Sequence, residues 1–126
     1  MDAIPFFSQQ AVHQHLRPAF ARAWDELLAN GQFILGEQVA AFEHAYADYH
    51  GVSYAIGVGN GLDALYLALR AGGIGAGDEV LVPSHTCYAT WLAVVRTGAT
   101  PVPVEVDAQW TIDPLRLEEK ATARTR

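Results

Sequence analysis

The sequence predicts an α/β domain with a mainly parallel sheet. Three observations predict it. Short apolar runs of strand type alternate with stretches whose apolar residues recur at steps of three and four. Each of the first four helical stretches closes on a glycine. Hydrophobic residues make up 51% of the 126 positions and charged residues 17%, which is enough apolar surface for a core and too few charges for a disordered chain. The length fits one small domain or a piece of a larger one.

Val12, Leu16, Phe20, Ala23 and Leu27 repeat as one face of an amphipathic helix, which Asn30-Gly31 stops. Gly36 to His50 repeats the device with Val39, Phe42, Tyr46 and Tyr49, closed by Gly51. The run Tyr54 to Val58 then reads as a strand that ends in Gly59-Asn60-Gly61 and leads into a helix over 62–70. After Gly72-Gly73 the unit repeats, with a buried-type strand over Glu79 to Pro83 and a helix from Tyr88 to Thr97 that Gly98 ends. Thr100 to Val106 is a third strand, with Pro101 and Pro103 requiring an edge or strand-end position. A polar helix over Leu115 to Ala121 follows Asp113-Pro114. Three strands with two crossovers are few for a parallel sheet that needs both faces covered, so the chain reads as cut inside a domain.

Composition narrows the function. Eight basic against 14 acidic residues give a formal charge of −6, with the basic residues scattered singly, which argues against a nucleic-acid partner. Met1 to Pro5 has no basic leader region and no apolar run approaches bilayer length, so neither secretion nor a membrane is expected. The single cysteine, Cys87, excludes an intrachain disulfide and a cysteine-based metal cluster, and no metal site is expected. The expectation is a cytoplasmic protein.

The glycine turn at 59–61 carries the most chemistry. A strand running straight into a helix there aims free N–H groups and the positive end of a helix dipole at one spot, which suits a phosphate. Glycine lets an anion approach the amides without a Cβ in the way, and Asn60 can cap. The alternative is that the glycines only turn the chain and that Asp63 is a first-turn acid. A dinucleotide fingerprint fails, because Leu62 stands where its third glycine belongs and Pro83-Ser84-His85 offers no acid for a ribose. No Walker loop is present. A monophosphate is the better candidate.

The second strand tip, Ser84 to Trp91, lies at the carboxyl end of the sheet, where open α/β folds bind ligands. Cys87 or Tyr88 could lie against a flat ring, with His85, Thr86 or Thr90 donating hydrogen bonds. In the structural alternative Tyr88 and Trp91 are core aromatics, Thr86 caps the following helix and His85 lies on the surface. A Cys87–His85 nucleophile is disfavoured, since it needs a geometry that adjacency alone does not provide.

Five segments together resemble the DegT/DnrJ/EryC1/StrS family of pyridoxal-phosphate-dependent sugar aminotransferases. They are Gly59-Asn60-Gly61-Leu62-Asp63-Ala64-Leu65, Gly75-Ala76-Gly77-Asp78-Glu79-Val80, Val82-Pro83-Ser84-His85-Thr86, Ala89-Thr90-Trp91-Leu92-Ala93-Val94, and Gly98 through Glu105. Phe33-Ile34-Leu35-Gly36 and Phe42-Glu43 are similar to the family's N-terminal segment. The resemblance implies the N-terminal portion of a fold-type-I transferase large domain, a three-layer αβα arrangement, with residues 1–52 a helical segment and 53–126 part of the cofactor-binding domain. It implies transfer of an amino group from glutamate to a nucleotide-linked keto-deoxysugar, in a homodimer when full length. It places Asn60, Gly61 and Leu62 at the cofactor phosphate and Cys87 and Tyr88 at its ring. Leu62 stands where many relatives have threonine, and Cys87 where they have the stacking aromatic.

Seven of the eight basic residues are arginines, and Lys120 is the one lysine. Covalent pyridoxal phosphate chemistry needs a lysine amine. Lys120 lies in Glu118-Glu119-Lys120, matches no such motif of the family and reads as a solvated helix-face charge, so no catalytic residue is assigned. The expected function is therefore a sugar-aminotransferase fragment that lacks its reactive lysine and is inactive alone. The alternatives are a small Rossmann-like phosphate-binding module without catalysis, or an assembly partner of a full-length paralogue.

Overall fold

The structure, a computed structural model, describes residues 4–126; residues 1–3, where the expected 1–52 helical segment begins, lie outside the described residues. The chain forms two compact units, one ending at Gly57 and the other Val58–Arg126.

The first unit contains α1 (Gln10–Asn30) and α2 (Glu37–His50). Both end as expected, with Gly31 and Gly51 in the left-handed region and their N–H groups donating back to helix carbonyls. No α1 side chain is buried, so the stripe Val12, Leu16 and Phe20 is a helix face without a cover among the described residues. In α2 only Ala47 is buried, while Phe42, Tyr46 and His50 stack along one side with centroids 5.6 and 4.4 Å apart.

The expected strand over Tyr54 to Val58 does not form. A strand exists only through pairing, and among the described residues no backbone is laddered to this run. Tyr54 and Ile56 are exposed, and the segment is tied down by the Gly57 N–H donating to Glu43 Oε1 at 2.6 Å.

The second unit runs α3 (Gly61–Ala71), β1 (Glu79–Pro83), α4 (Tyr88–Thr97), β2 (Thr100–Val104), a 3-10 turn (Pro114–Arg116) and α5 (Leu117–Lys120). The sheet therefore has two strands, where the sequence predicts three. They are parallel, with Glu79 opposite Thr100 and Pro83 opposite Val104. The Thr100 N–H donates to Asp78 O at 2.9 Å, so the period of two turns positions 101 and 103 away from β1, and Pro101 and Pro103 forfeit no bond to it. β2 stops at Val104 rather than Val106 because the chain folds back: the Asp113 N–H donates to Glu105 O, and Val106 bridges Ile112 antiparallel. The expected helix over 115–121 is shorter and split, starting on Asp113, whose Oδ1 accepts from the Leu115 N–H at 2.9 Å.

The core is small. Val82, Val94 and Ala99 form its centre, with Leu69, Ile74, Val80 and Trp91 packed against it. The largest fully buried side chains are Val82, Val94 and Val104, no bigger than valine in a chain that is 51% hydrophobic. No helix is long and apolar enough to cross a membrane among the described residues.

The open edge of β1 is held by the last residues. Glu79 donates its N–H to Arg124 O at 2.9 Å and accepts from the Arg126 N–H at 3.0 Å. Its carboxylate, on a residue only 6% exposed, accepts from the Thr122 hydroxyl and the Arg124 guanidinium. A buried carboxylate is stable only while paired. Arg124→Ala should therefore lower stability by about 1–3 kcal/mol, read as the urea midpoint of unfolding. Adding Glu79→Gln should recover part of the loss, because a neutral amide needs no counter-charge. An unchanged midpoint in Arg124→Ala would contradict this role.

Candidate functional site

Asn60 caps α3 in extended conformation, with φ −167° and ψ 172°. Its Oδ1 accepts from the Asp63 N–H at 2.9 Å, and its Nδ2 donates to Asp63 Oδ2 at 2.9 Å. The helix thus satisfies the third N–H of its first turn with its own side chain. The N–H groups of Gly61 and Leu62 have no acceptor among the described residues. A Cβ added at Gly61 would meet nothing within 4 Å, so no side chain crowds this residue. Two free donors at the positive end of an 11-residue helix fit a phosphate monoester. Asp63 is not a bare first-turn acid: its Oδ1 accepts from Arg96 Nη1 of α4 at 3.0 Å.

Cys87 and Tyr88 stand together at the start of α4. Cys87, with a free exposed thiol, is the N-cap residue, and no side chain caps this helix. The Thr86 cap of the structural alternative is absent, and the Thr86 hydroxyl lies 3.1 Å from that of Thr90 instead. Tyr88 is 75% exposed and so is no core aromatic, whereas Trp91 packs on the core, as the structural alternative has it. α3 and α4 pack together, but no hydrogen bond or ring contact joins the Asn60–Leu62 group to the Cys87–Tyr88 group among the described residues.

His85 is exposed and packs on Trp110, with ring centroids 5.0 Å apart. Trp110 has a φ of 64°, a left-handed conformation costly for a bulky residue. Asp107 holds it there. Its Oδ1 accepts from the N–H groups of Gln109 and Thr111, its Oδ2 from the Thr111 hydroxyl, and its carbonyl from the Trp110 N–H. Desolvation pushes the Asp107 carboxyl up, but the Thr111 and Gln109 donors outweigh it and hold it below the usual carboxylate range. This loop is missing from the strand and helix pattern of the sequence, although Asp107-x-Gln109-x-Thr111 is a legible Asx-type turn. Arg96 carries no local signal in the sequence, because 33 residues separate it from Asp63. Lys120 lies exposed on α5, and no group of three or more metal-ligating side chains occurs among the described residues.

Known proteins match this chain in sequence and fold. Residues 14–126 match the DegT/DnrJ/EryC1/StrS aminotransferase family. The dTDP-3-amino-3,4,6-trideoxy-alpha-D-glucose transaminase of Streptomyces venezuelae is 48% identical over 124 residues, 98% of this chain and 33% of the relative. The solved structure of S. venezuelae DesV in complex with a ketimine intermediate superposes with a TM-score of 0.94 at 47% identity, over 100% of this chain and 34% of that one. That of NtdA from Bacillus subtilis, with cofactor PMP bound, gives 0.92 at 30% identity, over 100% and 29%. The chain spans about a third of the length of the curated relatives it matches.

The Asp107 loop carries a pH prediction. A carboxyl held low in the folded state contributes stability that is complete above its unfolded value, about pH 4, and is lost as pH falls through the lower folded value. Trp110 emission should change on that acid side, and the change should vanish in Asp107→Asn. The same acid transition in both proteins would contradict it.

Proposed function

The chain belongs to the DegT/DnrJ/EryC1/StrS aminotransferase family, and on that premise we propose that it is the phosphate-gripping portion of a pyridoxal-phosphate-dependent aminotransferase of nucleotide-linked keto-deoxysugars. The observation that carries the reading is the pair of unengaged amides at Gly61 and Leu62 on the open start of α3. When bound, the cofactor supplies an electron sink for moving an amino group, and this chain's part is to hold it. Residues 53–126 form part of the cofactor-binding domain, and 1–52 a helical segment ahead of it.

The Gly61 and Leu62 N–H groups donate to the phosphate, and Asn60 keeps the turn open by spending its own side chain on Asp63. Leu62 offers only its main chain there. Tyr88, free of the core at the start of α4, would lie against the flat ring in place of the aromatic that relatives carry one position earlier, with Cys87 bordering it. The amino acceptor is a nucleotide-linked keto-sugar and the donor glutamate, in a cytoplasmic homodimer of the full-length enzyme. The uncovered stripe of α1 and the unpaired run at Tyr54 to Val58 are faces that a full-length protein buries. Lys120, the one lysine, is a solvent-exposed charge on a four-residue helix, so the chain by itself does not turn over.

Calorimetry with pyridoxamine 5′-phosphate and with phosphate-free pyridoxamine tests the grip, and neither ligand can form a covalent bond to lysine. The 126-residue chain should bind only the phosphorylated ligand, and Gly61→Val, which fills the open approach, should weaken binding at least about tenfold, by loss of a charge-assisted bond. Equal affinity for the two ligands would refute the reading. Pyridoxal phosphate should give no absorbance band that depends on Lys120, and a band lost in Lys120→Ala together with turnover would overturn the proposed inactivity.

A further inference from the structure

Asp63 poses a problem for any anion bound to the start of α3. Its carboxylate stands two residues beyond Gly61, and an ideal Cβ at Gly59 would lie 3.4 Å from its Oδ2, so the charge borders the open turn. A carboxylate in the first turn is favoured by the helix dipole, but it also repels a phosphate and can compete with it for the same N–H groups. Something must hold that charge aside.

Arg96 does so. Its Nη1 donates to Asp63 Oδ1 at 3.0 Å, across 33 residues of sequence and from the next helix. Its guanidinium carbon lies 4.6 Å from the centroid of Tyr66, one turn beyond Asp63 on α3, so the ring fixes where the fork lies. With Oδ1 taken by Arg96 and Oδ2 by Asn60 Nδ2, neither carboxylate oxygen folds back onto the amides of Gly61 and Leu62. The chain Arg96–Asp63–Asn60 is a relay from α4 to the cap of α3.

We propose that Arg96 is a positioning residue of the phosphate site, which neutralises Asp63 and, through it, keeps the Asn60 cap and the two free amides open to the anion. The proposal rests on the reading of α3 as the phosphate grip. Arg96 touches no ligand itself. Because the Arg96 and Asp63 side chains are 43% and 37% exposed, solvent screens the pair and the effect is moderate.

The test is calorimetric titration of the full 126-residue chain with pyridoxamine 5′-phosphate at low ionic strength, with phosphate-free pyridoxamine as control. Arg96→Met, which keeps an unbranched apolar stem and removes the charge, should raise Kd about 3–10-fold. Arg96→Lys should retain most of the affinity. The double variant Arg96→Met/Asp63→Asn should recover most of it, since the uncompensated negative charge is gone. The penalty of the single variant should shrink as salt is added. A purely structural role for Arg96 predicts no rescue by Asp63→Asn and no salt dependence, and either result overturns the proposal, as does an unchanged Kd in Arg96→Met. Should Arg96→Met fail to fold by circular dichroism, the lysine and double variants decide by the same criteria. If the unmodified chain binds the phosphorylated ligand while these variants behave alike, only the role of Arg96 falls; if the unmodified chain does not bind it, the phosphate reading falls as well.

Discussion

The proposed phosphate grip depends on an unmet hydrogen-bonding demand at the first turn of α3. A helix begins with donors it cannot satisfy internally. Asn60 satisfies one of them, at Asp63, and the N–H groups of Gly61 and Leu62 are left facing an approach that no side chain fills. An unpaired Asp63 carboxylate in the same first turn would place an uncompensated negative charge beside those donors. The Arg96 fork prevents that from α4, so the open turn is built by two helices rather than by the loop alone.

The same second unit explains why the turn is held firmly on so small a core. β1 is gripped on both edges, by β2 in parallel register and by Arg124–Arg126, whose backbone and guanidinium close on Glu79. Val82 and Val94 then pack across the sheet–helix contact, which fixes α4 and with it Arg96. The first unit keeps its large apolar side chains at the surface: Phe20 and Trp24 of α1 are both more than half exposed. Those faces are in keeping with a chain that matches about a third of its relatives' length.

Local sequence rules reached most of the elements. β1 and α4 occupy the expected ranges, and the helix-ending glycines at 31 and 51 do what their freedom at positive φ allows. Features that needed a partner were out of reach. Tyr54 to Val58 has strand chemistry, but a strand is a property of two segments, and no neighbour is laddered to it among the described residues. Asn60 and Gly61 were legible as an open turn because capping is local. The Arg96–Asp63 and Arg124–Glu79 pairs were not, because they span 33 and 45 residues and their residue types would suit any solvated helix or strand end.

The most direct measurement is a nuclear magnetic resonance titration that follows the backbone amides of the uniformly labelled chain as a simple phosphate monoester is added. The account predicts saturable shifts largest at Gly61 and Leu62, with the Asn60 side-chain amide moving little because it stays bonded to Asp63. Shifts scattered over the arginines, with Gly61 and Leu62 unmoved, would contradict it.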